Sequence, residues 1–124
     1  MIEYVIGGMG VGRIILGIAP FVAAGPSSRL LGFPTAHDNA TARLMGRFFG
    51  VRDVGLGVLV FYALAHPVAL GFLLPFNALT DFGDLFAISI PLARRQGIDR
   101  GAWMSAAFAL PAGLAWLVVL SFVR

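Results

Sequence analysis

Residues 44–65 read LMGRFFGVRDVGLGVLVFYALA, and only Arg47, Arg52 and Asp53 in that stretch carry charge. A bilayer core about 30 Å thick is crossed by roughly 20 mainly apolar residues in a helix that rises 1.5 Å per residue. The stretch therefore reads as a membrane-spanning helix with an Arg–Asp pair lodged inside it. It stops at His66-Pro67, where proline cannot prolong a helix without losing a backbone hydrogen bond.

Three more stretches of the same kind flank it: about Tyr4 to Gly25, about Val68 to Leu92 and about Ala102 to Val123. Composition agrees. Of the 124 residues 59% are hydrophobic and 12% charged, with a mean hydropathy of +0.90, whereas a soluble domain averages about 25% charged residues. A disordered chain and an ordinary water-soluble globule are thereby excluded. The expectation is an all-α, four-transmembrane-helix bundle, antiparallel and up-down, forming a single integral membrane domain over residues 1–124. Its spans are placed at about 4–25, 44–65, 68–92 and 102–123. The one sizeable linker, Pro26 to Arg43, is expected in the membrane interface. The first stretch does not read as a signal peptide, because it lacks a basic leader and carries Arg13 at its centre.

The formal net charge is +3, all nine basic residues are arginine, and no basic run is longer than Arg94-Arg95. Such a distribution offers no track for a phosphate backbone, so no nucleic-acid partner is expected. Cysteine is absent, which removes disulfides, thiolate metal sites and cysteine nucleophiles together. His37 and His66 make a poor metal site on their own, and no cofactor is expected. Arginine outside the spans sets orientation. Arg29, Arg43, Arg94, Arg95 and Arg100 sit in the 1–2 and 3–4 loops against Arg124 alone on the other side. Both loops are expected in the cytoplasm and both termini on the non-cytoplasmic side. Lysine-free usage resembles that of GC-rich bacterial genomes, which points to a multi-pass protein of the bacterial inner membrane.

The residues that decide function are charges inside the spans: Arg13, Arg52, Asp53, Asp81 and Asp84. Insertion scales assign each roughly 2.5–3.5 kcal/mol at mid-helix, so five unpaired groups cost on the order of 10 kcal/mol or more. Each lies 8 to 12 residues from the loop end of its span, which puts all five in a layer roughly 6 Å thick. Two arginines face three aspartates there, and Arg47, nearer the cytoplasm, is expected to balance the count. Their helix faces agree. Asn77, Asp81 and Asp84 form one stripe, Gly46, Gly50, Asp53 and Gly57 another, and Gly10, Arg13 and Gly17 a third. Small residues let helices approach closely in lipid, and Ala102, Ala106, Ala109 and Gly113 give the last span a comparably smooth face. A hydrogen-bonded cluster of Arg13, Arg52, Asp53, Asn77, Asp81 and Asp84 is expected inside the bundle.

Other motifs carry less. Gly7 to Gly12 lacks the order and the preceding strand of a nucleotide loop, while Gly8 and Gly12 are read as a helix-packing GxxxG. The triplet Asn39-Ala40-Thr41 is a chance match to a glycosylation acceptor. Pro75, Pro91 and Pro111 are expected to kink or end helices. Arg43 and Arg47, four residues apart near the cytoplasmic face, suit an anionic lipid headgroup as well as ordinary anchoring.

The run Leu44-Met45-Gly46-Arg47-Phe48-Phe49-Gly50-Val51-Arg52-Asp53-Val54-Gly55-Leu56-Gly57 resembles, through Gly50, Arg52, Asp53 and Gly57, the G-x-R-D-x-x-x-G signature of a family of small bacterial four-helix integral membrane proteins, which also carry an aspartate in the third helix. Asp81 or Asp84 fits that second feature. The resemblance is specific over about fourteen residues and implies a four-helix membrane protein without an assigned activity.

Two functional readings follow. In the first, the chain is a non-enzymatic accessory or scaffold subunit, fastened by its Arg/Asp cluster and joined to copies of itself or to a larger membrane complex. In the second, the same cluster is the site of a small-solute or proton-coupled transporter or ligand-binding protein. A membrane enzyme ranks third, since only carboxylates remain for acid–base work.

Overall fold

A computed structural model describes residues 1–123, and in it the chain forms five α-helices: α1 Ile2–Val22, α2 Ala24–Leu30, α3 Ala40–Ala65, α4 Leu70–Ala93 and α5 Asp99–Val123. Four segments, namely α1, α3, α5 and the Pro67–Ala93 stretch that contains α4, are long and apolar enough to cross a membrane. The fold is thus an all-α bundle of multi-pass type. Arg124, used above to weigh the two sides, lies outside the described residues.

The short helix α2 was not foreseen, and its cause is Pro26. In a continuous helix the Pro26 ring would press on the Val22 carbonyl and offer it no N–H. The chain instead turns at Ala23 (φ −150°, ψ 56°) and restarts as α2, with Pro26 in a first turn whose N–H groups have no helical partner anyway. The expected linker also ends early. Asn39 caps α3, its side-chain oxygen accepting from the Ala42 N–H at 2.9 Å, which starts the helix at Ala40. α4 runs through Pro75 and ends two residues after Pro91, and α5 runs through Pro111.

α1 packs chiefly on α3, and α4 on α5. Glycine sets the first contact: a Cβ at Gly17 or Gly50 would strike the other's carbonyl oxygen, and one at Gly57 would strike Ile14 and the Gly10 carbonyl. Gly8 and Gly12, by contrast, have no neighbour that an added Cβ would meet, so their expected packing role fails. They lie well round the helix from Gly10 and Gly17 and face away from α3. In the second pair Gly113 seats the Phe82 ring.

The two pairs close on each other at the end that holds the N-terminus and the α3–α4 turn. There Ile6, Val60, Ala63, Leu70, Leu73, Leu74, Ala78, Trp116, Val119 and Leu120 make one core. At the opposite end they part, and α2 with the following loop lies over the gap. Phe33 rests on Gly101 and the Arg100 stem on Gly32, whose φ of 87° suits glycine alone, so the loop is tied to the start of α5.

Candidate functional site

Between the closed end and the open end lies a layer of ion pairs. Arg13 on α1 donates to Asp53 on α3 (3.4 Å) and to Asp81 on α4. Arg52 on α3 donates to both oxygens of Asp84 on α4, at 2.8 and 2.9 Å, and to Asp53 at 3.3 Å. The order Asp81–Arg13–Asp53–Arg52–Asp84 is a chain of alternating sign that links three helices, and α5 adds the Trp116 ring beneath Arg13 (5.6 Å from ring centroid to Cζ). A guanidinium over an aromatic face gains electrostatic attraction, more so when water is excluded. Phe49 serves Arg52 in the same way at 4.7 Å.

The chain has an inner and an outer half. Arg13, Asp53 and Asp81 are 4–6% exposed, whereas the side chains of Arg52 and Asp84 are 37% and 25% exposed. The inner triad therefore depends on its partners, since a buried charge that loses its counter-ion is strongly destabilising. Satisfaction is incomplete: Asp81 Oδ2 and Arg52 Nε are buried without a hydrogen-bond partner among the described residues.

Five of the six residues expected in the cluster are brought together. The sixth, Asn77, is buried on the same α4 stripe but outside the network, because its Nδ2 donates to the Leu73 carbonyl of its own helix at 2.8 Å. Arg47 does not balance the count. It is exposed and has no ion-pair partner among the described residues, which leaves three carboxylates against two guanidinium groups. Nor is Arg43 a free cation. It grips Asp38 through Nε and Nη2 at 2.7 and 3.0 Å, and this bond holds the partly buried Asp38 carboxyl below its ordinary range. Of the pair read as lipid-facing, only Arg47 stays available.

The feature that sequence reading missed is the space above the cluster. A cavity of about 1170 Å³ runs from the ion pairs to the α2 roof, beyond the roughly 300–1,000 Å³ of usual small-molecule pockets. Arg13, Asp53, Asp81 and Asp84 stand at its floor, Leu16, Phe49, Ile88, Phe108 and Trp116 in its walls, and Ser27, Ser28, His37, Asp38 and Arg43 around its mouth. Its sequence signal is the run of small side chains that face it: Gly12, Ala19, Gly46, Ala87, Ala109, Ala112 and Ala115. Among the described residues no His, Asp or Glu set is arranged to hold a metal ion.

These observations define a small helical membrane protein with four candidate spans, an Arg/Asp cluster at its centre and a chamber on one side of it. The chain belongs to the family described as a domain of unknown function, DUF4267, whose model matches residues 10–120. That region takes in the whole cluster and all of the chamber lining except Met9. No curated protein and no solved structure matches the chain.

Proposed function

We propose that this protein is a non-enzymatic ligand-binding or carrier protein of the bacterial inner membrane, and that the chamber is its site. The supporting observation is the chamber itself: a large apolar space that ends on four ionisable side chains of three different helices. Ligand sites in general are concave, mainly apolar and oriented by a few polar groups, and sites between the helices of a bundle follow that pattern. An Arg/Asp cluster that served only to fasten helices would be expected to have packed side chains on both sides.

The probe N-phenyl-1-naphthylamine, which is neutral and fluoresces in apolar surroundings, tests this reading with protein in nanodiscs. Saturable binding at about one probe per chain is expected, and Ala112→Trp, which projects a large ring into the chamber, is expected to weaken it. Binding that this substitution leaves untouched would overturn the proposal.

The closed ion-pair chain favours a second reading, that of an accessory subunit fastened by its charges and joined to a second copy or a larger membrane complex. That reading expects co-purification of a partner in stoichiometric amount, with no saturable probe binding.

A further inference from the structure

The cluster is short of one positive charge. Its members are three aspartates and two arginines, so with all five ionised it carries −1, in a setting where water is scarce. The shortfall has an address. Asp81 lends Oδ1 to Arg13, and its Oδ2 makes no hydrogen bond of ordinary geometry among the described residues, while the residue as a whole is 5% exposed and borders the chamber. Among the described residues no other cation makes up the difference, since the sequence has no lysine, Arg43 is committed to Asp38, and Arg29, Arg47, Arg94, Arg95 and Arg100 are exposed and outside the cluster. A charge left uncompensated in a low-dielectric interior attracts a counter-charge over several ångströms.

We propose that the chamber binds one lipophilic organic monocation at a time, drawn to the excess negative charge of the cluster at Asp81. This rests on the ligand-binding reading above and gives it a substrate class. Two independent features select that class: the net charge selects a monocation, and the apolar walls select a hydrophobic body around it. A bare metal ion would leave those walls unfilled, and an anion would add to the excess. In charge terms the ion-paired cluster carries −1, and the cluster with its bound cation carries zero. The charged groups facing Asp81 are Arg13 from α1, Arg52 and Asp53 from α3 and Asp84 from its own helix, while α5 contributes only Trp116. At the mouth stand His37, Asp38 and Arg43.

Tetraphenylphosphonium and tetraphenylborate share one shape and differ in sign, and neither takes up a proton. Titrated into the protein in nanodiscs at pH 7.5, tetraphenylphosphonium is expected to bind saturably at one per chain, and tetraphenylborate at least tenfold more weakly. Asp81→Asn is expected to remove phosphonium binding while N-phenyl-1-naphthylamine still binds, which also reports that the variant is folded. Equal affinity for the two ions on the unaltered protein would overturn the inference while sparing the chamber. Loss of naphthylamine binding as well, on the unaltered protein, would overturn the ligand-binding reading itself.

Discussion

The two ends of this bundle are built from the same helices and differ in what faces inward. Below the ion pairs the inward positions hold Ile6, Val60, Leu70, Leu74 and Val119, and the helix pairs close on each other. Above them many inward positions are small, among them Gly12, Ala19, Ala87, Ala109 and Ala112, and the pairs stand apart around about 1170 Å³ of space. Between them, long arginine side chains bridge a separation that short apolar ones leave open. The lesson is that small residues have two opposite uses in one molecule. Where backbones meet, as at Gly17 and Gly50, they draw helices together. Where long charged side chains hold the helices apart, the same residue types leave room.

The comparison breaks first at the ion pairs. Arg13→Met leaves Asp53 and Asp81 buried without their main partner and is expected to cost about 3–5 kcal/mol, read as loss of folded protein in a detergent stability assay. Arg52→Met, at a half-exposed pair, is expected to cost less than half as much, and equal losses would contradict the division into inner and outer halves. Next come paired truncations. Leu74→Ala in the closed half is expected to cost about 2–5 kcal/mol through cavity formation. Ile88→Ala in the chamber wall is expected to cost about 1 kcal/mol or less. Neighbouring residues on α5 sharpen the contrast further: Gly113→Leu drives a side chain into Phe82 and is expected to cost about 1–3 kcal/mol, whereas Ala112→Leu extends into open space and is expected to be nearly neutral.

The smallest effect concerns the roof. Arg43 holds the Asp38 carboxyl below its ordinary range, so the pair's contribution is fully present above the ordinary aspartate value and is lost as pH falls through the lowered one. Proteolysis of the segment between Leu31 and Asn39 is expected to quicken on acidification across that window, and Arg43→Gln is expected to remove the pH step.

Much of this architecture is legible in the sequence because lipid makes its rules strict. Charges within apolar spans are costly enough that Arg13, Arg52, Asp53, Asp81 and Asp84 have to meet, and helical rise alone puts them at one depth. The Gly10, Gly17, Gly50 and Gly57 stripes are equally readable, since each repeats at seven residues. Gly8 and Gly12 misled because a GxxxG motif names residue types and not the face a neighbour occupies. Asn77 misled because sharing a stripe with Asp81 does not stop a short amide from bonding its own backbone. Helix α2 was signalled by Pro26 and the cap of α3 by Asn39, both turn-scale cues overshadowed by hydropathy. The chamber was not legible. Its lining mixes large apolar side chains with alanines and glycines that packing would explain as well, and only the coordinates show which of them have a neighbour.

The most direct test of the half-closed, half-open bundle uses the absence of cysteine. Single substitutions Ala112→Cys in the chamber wall and Ala78→Cys in the core, the latter site 2% exposed, are treated with membrane-permeant N-ethylmaleimide under native conditions. The account predicts rapid labelling of the Ala112→Cys variant and labelling of Ala78→Cys only after denaturation. Equal protection of both sites, with both variants folded, would mean that no chamber exists and would contradict the account.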